Sequence, residues 1–286
     1  MSTVHTAIPT KSGRRPHERA SWPQRHPVLA FFAVTYTTSW VYWVIALGAF
    51  GQHSLWWIAP GVFGPPAAAV TVTALVDGRR GLRELGRRLL LWRVGIRWYV
   101  VGLVVLPTLV VLSYLFLPSG SDQIRDDGWL VVPLYLVFAA VVTIVGGGQE
   151  EVGWRGFALP RMQERWGPLR AALLLGALWG TWHLPLFVFV PDYNNSGHGF
   201  TSIAVMFALF VVAYALGLSV LFAWLSNSTR GSILFVMLVH GFTNAAWAFG
   251  PMTRAQSATF YLLSAALAVG AAVATHGRLG FRRSSL

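Results

Sequence analysis

The sequence predicts an all-α, polytopic membrane protein: about eight transmembrane helices in a single helical bundle around an intramembrane chamber. Three observations carry this. The chain of 286 residues is 55% hydrophobic and only 11% charged, whereas a soluble domain is about 25% charged. Its mean hydropathy is +0.56. Its apolar residues fall in long runs of the length, roughly 20 residues, that crosses a bilayer core as a helix, and they do not alternate with the period of two that a transmembrane β-barrel requires.

Residues 1–27 carry Lys11, Arg14, Arg15, Arg19 and Arg25 among four prolines and read as a disordered basic tail. The apolar run behind the tail is too long for a signal peptide, and no small-residue cleavage site follows it. An eight-helix transmembrane unit, residues 28–275, comes next. Its expected spans are Val28–Phe50, Leu55–Val76, Trp98–Leu117, Trp129–Gly147, Leu169–Val190, Phe200–Leu225, Ser232–Phe249 and Ser257–Thr275. Pro60, Pro65 and Pro66 predict a kink in the second. Gly176 and Gly180, four apart in the fifth, permit close helix packing. Between the second and third spans, Leu82, Leu85, Leu89 and Trp92 recur at helical spacing among Arg83, Arg87 and Arg88. Gly81–Arg93 therefore reads either as an interfacial helix at headgroup level or as a cytoplasmic linker helix. Residues 276–286 form a short basic tail.

Eight spans put both termini on one side. All 22 Lys and Arg residues except Arg125 and Arg254 then fall on that side, which the positive-inside rule makes cytoplasmic. The net charge of +12 is thus explained by orientation, and nucleic acid is not expected as a partner. Cysteine is absent, which removes disulfides, thiolate ligands and a cysteine nucleophile.

The chain has ten acidic residues; eight fall in tails, loops or basic stretches, and Glu150 and Glu151 stand at the end of the long apolar run that starts near Trp129. An ionisable group at membrane depth costs several kcal/mol unless paired or hydrated and marks a functional site by default. Glu151 and Arg155 are four apart and can pair. Glu150 points about 100° away from Glu151 on a helix, so it stays free to act as a base while Glu151 and Arg155 serve structure. The other reading makes both glutamates ordinary headgroup-level charges, against which Gly146–Gly148 and Gly153 suggest a special backbone. Of eight histidines, His183 and His240 alone lie well inside spans. His240 and Asn244 share a helix face and can aim two donors at one point, or each can simply bond a neighbouring helix. His183 can be a packed core histidine, but Pro185 weakens the helix beyond it and helps expose it to a cavity. Counted from the cytoplasmic edge, Glu150 and His240 lie about 16 and about 15 Å deep and His183 about 22 Å. The last needs a tilt or kink. The fourth helix, running on to about Leu159, must tilt, protrude or break.

Three motifs in this order, Glu-Glu-x-x-x-Arg at Glu150, Glu151 and Arg155, aromatic-x-x-x-His at Trp179 and His183, and His-x-x-x-Asn at His240 and Asn244, resemble the CPBP family of type 2 CAAX prenyl endopeptidases and bacterial Abi proteins. The resemblance covers the motif-bearing core, about residues 129–250, and Gly64-Pro65-Pro66-Ala67-Ala68 is a weaker echo. Trp179 stands where the family usually has Phe. The resemblance implies an intramembrane endopeptidase with its site facing the cytoplasm, in which Glu150 and His183 activate water, His240 and Asn244 stabilise the oxyanion, and Glu151 and Arg155 hold the Glu150 helix. A zinc-dependent version would use Glu150, His183 and His240 as ligands. The metal-free version, with no cofactor, is favoured. The implied partners are the lipid bilayer and a peptide or protein substrate, either prenylated or otherwise membrane-associated. A proton-coupled transporter, or a non-catalytic membrane scaffold, is the alternative function class. Against the transporter, the polar residues cluster in the second half alone, without paired repeats.

Overall fold

A computed structural model describes residues 21–52, 54–115, 131–194, 200–246 and 253–282. Among these residues every regular element is helical. Seven helices are long and apolar enough to cross a membrane, and an eighth apolar helix is shorter. In chain order they are α1 (Pro27–Ala49), α2 (Trp56–Val76), α4 (Ile96–Ser113), α5 (Val132–Trp166), α6 (Pro168–Phe189), α7 (Phe200–Ser228), the short α8 (Ile233–Ala245) and α9 (Ala255–Ala274), with the amphipathic α3 (Gly78–Leu89) between α2 and α4. The eight expected spans are thus all helical, and the chain is an integral membrane protein. Most of the basic tail, Trp129, Arg125 and the far end of the seventh expected span lie outside the described residues. Of the tail expected to be disordered, Trp22–Arg25 forms a short helix begun by a Ser21 and Gln24 capping box.

The bundle packs α1 on α2, α5 on α8, α6 on α7 and α7 on α9, with α4 against α9. In lipid, helices are held by close packing and buried hydrogen bonds rather than by exclusion of water. Both are visible. A Cβ on Gly176 would lie 2.9 Å from the Ala215 carbonyl, and one on Gly180 would lie 2.9 Å from the Ala215 side chain, so the expected glycine pair does set the α6–α7 distance. Trp43, Trp154, Trp179, Trp182, Phe31 and Phe157 are fully enclosed. The Trp43 indole N–H donates to the Ile58 carbonyl at 2.9 Å, tying α1 to α2.

Among the described residues, six of the spans are not continuous α-helix: α1, α4 and α7 pass into π-helical turns at Val44–Ala49, Val101–Val105 and Phe210–Ala215, and α2, α6 and α5 carry interruptions with a local cause. In α2 the helix stops at Phe63 and restarts at Gly64, with Pro65 and Pro66 in its first turn, where a missing N–H costs nothing. In α6 it stops at Trp182 and restarts at Leu184, around His183 and Pro185. Carbonyls beside this break are taken by α1: Tyr36 donates to Leu178 at 2.5 Å and Trp40 to Trp182 at 2.9 Å. In α5 the helix ends at Val145 and resumes as a 3₁₀ turn at Gly148–Glu150 and a π-helical turn at Trp154–Ala158. Of the three ways to fit an overlong fourth helix, the chain breaks it. The amphipathic α3 begins at Gly78 and ends at Leu89, earlier at both ends than the leucine spacing suggested, which leaves Trp92 exposed beyond it.

Candidate active site

The break in α5 is built around Gly147, whose φ of 129° belongs to a region that side chains rarely enter. It also leaves no room: a Cβ at Gly147 would lie 2.6 Å from Asn244 Nδ2 and 3.1 Å from His240 Nε2. The two polar residues of α8 therefore converge on one backbone point, as their four-residue spacing suggested. Asn244 Nδ2 donates to the Gly146 carbonyl at 3.1 Å, satisfying an acceptor that the broken helix leaves over.

Directly after this turn the two carboxylates part. Glu151 Oε1 receives Arg155 Nη1 at 3.0 Å and His240 Nδ1 at 2.8 Å. Both Glu151 and Arg155 are 0% exposed. The Arg155 guanidinium also lies over the Phe222 ring at 5.0 Å and the Trp179 ring at 5.4 Å, a favourable placement for a desolvated cation. Glu151 Oε2 and Arg155 Nε and Nη2 are sealed off without a hydrogen-bond partner among the described residues, so the pair is not a closed bidentate fork. Glu150, 3% exposed, instead accepts two indole N–H groups on Oε2, from Trp154 at 3.0 Å and Trp179 at 2.8 Å. Among the described residues its Oε1 carries no hydrogen bond.

His183 is held to the same node. Its Nδ1 lies 2.8 Å from the Trp179 carbonyl. A carbonyl only accepts, so Nδ1 carries the proton and the Nε2 lone pair is left for other use. Trp179 thus joins Glu150 to His183, its indole to one and its carbonyl to the other, with no direct bond between the two among the described residues. The expected exposure of His183 to a cavity is not what the fold provides: the ring is 8% exposed and His240 2%, and Trp182, Trp179 and Phe210 surround His183 edge-on.

The motifs did not name two of these contributors, Trp154 and Arg88, and gave a third, Trp179, only as an aromatic. Trp154 stands four residues after Glu150, the spacing that already paired Glu151 with Arg155, so its reach was legible. Its ring is clamped by Phe31 and Phe32 of α1. Trp179 was read as a mere aromatic substitute for Phe, yet it supplies an N–H that Phe lacks. Arg88 of α3 had no local signal at all. Its Nε, Nη1 and Nη2 donate at 2.8 Å each to the carbonyls of Gly231, Gly156 and Arg155. One guanidinium therefore ties the start of α8 to the π-helical turn of α5.

The zinc set Glu150, His183 and His240 is less well matched. Each imidazole has its Nδ1 committed and its Nε2 turned elsewhere, as in zinc-bound histidines. However, among the described residues no three His, Asp or Glu side chains converge closely enough to hold a metal, and Glu150 Oε2 is occupied by the indoles.

Residues 129–246, which include every motif residue above, match the family described as Type II CAAX prenyl endopeptidase Rce1-like. The chain is also 24% identical over 226 residues to CAAX prenyl protease 2 of Methanococcus maripaludis, an alignment covering 75% of this chain and 81% of the relative. The matched segment runs from the broken helix to the end of α8, so that it is the motif-bearing part of this chain that is similar to the Rce1-like type II CAAX prenyl endopeptidases, a family of membrane proteases.

Proposed function

We propose that this protein is an intramembrane endopeptidase that hydrolyses a peptide bond with water activated by Glu150 and His183. The observation that carries the reading is the state of Glu150: one oxygen fixed by two neutral N–H groups, the other unbonded among the described residues, next to an imidazole held with its Nε2 lone pair available. Glu150 takes a proton from water as the oxygen attacks the peptide carbonyl, and later delivers it to the departing nitrogen as the C–N bond breaks. The oxyanion is met at the Gly147 turn. Asn244 has a second N–H beyond the one given to Gly146. With Nδ1 bound to Glu151, His240 offers an Nε2–H donor only as the imidazolium, for which Glu151 is the counter-charge. Arg155 balances Glu151, and the pair positions the turn that carries Glu150.

The strong asymmetry of basic residues supports a cytoplasmic location for both termini and for the opening of the site. The substrate class we infer from the family is a membrane-associated peptide or protein with a prenylated C-terminal segment, the bilayer serving as its second solvent.

The test is cleavage of a panel of prenylated and unprenylated peptides by the purified protein, wild type against Glu150→Gln, with and without chelator. Cleavage of a prenylated peptide that survives chelator and is lost in Glu150→Gln is the expected result. A folded Glu150→Gln protein that cleaves at the wild-type rate sinks the assignment of the base. Cleavage abolished by chelator and restored by zinc overturns the metal-free reading.

A further inference from the structure

A second feature is lined by Gly156 and Arg161 of α5, beyond the carboxylate pair in the chain. Beneath α3 is a cavity of about 440 Å³ whose polar lining is Thr73, Asp77, Arg80, Glu84, Arg88 and Arg161. Its charges do not cancel. Asp77 is paired with Arg161. Glu84 is gripped by Arg87 at 2.7 and 2.8 Å, a contact that holds its carboxyl below the ordinary range, so it is ionised and already answered. Arg80 is exposed and has no hydrogen bond or ion pair among the described residues. Arg88 meets only carbonyl oxygens, which use three of its five N–H groups. Burial pushes its guanidinium down to about 10, so it remains a cation at neutral pH without a carboxylate of its own. With Asp77 taken by Arg161 and Glu84 bonded to Arg87, Arg80 and Arg88 are left facing one cavity without a bonded carboxylate, Glu84 acting on Arg88 only at a distance.

The location says what kind of anion would reach them. The cavity lies where α2 ends and α3 begins. α3 turns Leu85 into the bundle and leaves Arg79, Arg80, Arg83 and Arg87 exposed. A helix of this pattern at the end of a membrane span lies at the level of lipid headgroups, and basic pockets there take anionic headgroups. A phosphodiester carries one negative charge on two free oxygens, which guanidinium groups bind in a fork.

We propose that the cavity under α3 is a binding site for the phosphate headgroup of an anionic membrane lipid, with Arg80 and the two remaining N–H groups of Arg88 as its ligands. The site has a built-in connection to the bundle. The same Arg88 holds the carbonyls of Arg155, Gly156 and Gly231, so a bound headgroup braces the turn that follows Glu150 and Glu151 and the start of the helix that carries His240. The proposal stands apart from the proposed reaction, because it is read by binding rather than by cleavage.

The experiment titrates the full-length protein in detergent with dihexanoylphosphatidylglycerol, with dihexanoylphosphatidylcholine and with inorganic phosphate, and follows thermal unfolding. The anionic lipid should raise the unfolding temperature saturably, more than the zwitterionic lipid and at lower concentration than phosphate. Arg80→Gln should weaken binding of the anionic lipid by about tenfold. Arg83→Gln, on the same helix but outside the cavity, should leave it unchanged. Equal losses in the two variants would reduce the effect to diffuse surface attraction, and unchanged affinity in Arg80→Gln would remove the site; either overturns the proposal. Saturation by inorganic phosphate at the same affinity as the lipid would reassign the site to the free ion. A KM for free-acid peptide that rises in Arg80→Gln, with that for amidated peptide and the lipid affinity unchanged, would give the cavity to a substrate carboxylate instead.

Discussion

Glu151 shares one oxygen between Arg155 and His240, whereas Glu150, one residue earlier, meets only the neutral N–H groups of Trp154 and Trp179. The difference separates two ways of keeping a carboxylate inside a bundle. Glu151 is surrounded by cationic or cation-capable partners, and removing one of a buried pair leaves the other charge stranded. Indoles orient a carboxylate without offering an opposite charge, so Glu150 is fixed in place in the way the proposed role as base requires. The backbone makes this division possible. The turn at Gly148–Glu150 is 3₁₀ and the helix proper resumes at Glu151, which sends adjacent side chains to different walls.

If that contrast is right, substitutions on the two sides should fail differently. Glu150→Gln keeps an oxygen for both indoles but loses the base, and kcat/KM should fall by about 10²–10⁴ with thermal unfolding hardly moved. A stability loss on the same scale would erase the distinction. Glu151→Gln should do the reverse, costing about 3–5 kcal/mol of stability by stranding Arg155, seen in denaturant unfolding of the purified protein. A stable but inactive Glu151→Gln would instead make Glu151 part of the chemistry. Asn244→Ala removes one donor from the Gly147 turn and should lower kcat by about 10²–10³ with KM little changed. Trp179→Phe is the mildest. It deletes one of two donors to Glu150 and should cost about tenfold in kcat/KM. A loss as deep as that of Glu150→Gln would show that Trp154 alone cannot hold the carboxylate.

The fold and part of this contrast were legible in the sequence, for reasons of spacing. Apolar runs, proline positions and the glycine pair at 176 and 180 act within one or two helices, and a linear pattern reports them. The rotation between Glu150 and Glu151 and the shared face of His240 and Asn244 are likewise local. What the pattern could not report is partnership across helices. The bond from His240 to Glu151 spans 89 positions, the indole of Trp179 reaches back 29 to Glu150, and Arg88 collects carbonyls 67, 68 and 143 residues away. Such contacts depend on how the helices are arranged, which no periodicity encodes. Trp179 was named in its motif but only as an aromatic: counted so, it equals Phe, and only its N–H makes the difference.

The long reach between Glu151 and His240 also bears on biogenesis. A chain made from its N-terminus delivers α5 to the bilayer well before α8. Glu151 arrives with Arg155 one turn away, so that half of the node can neutralise itself on entry. His240 arrives later, on a helix only 13 residues long in its regular part, with no carboxylate of its own. Its docking partner must already be in place and correctly turned, since an unpaired polar side chain at membrane depth is costly. Insertion of α8 is therefore conditional on the earlier spans: an α5 that has not broken at Gly147 offers no site on which this helix can settle, and its histidine then stays unpaired in the bilayer.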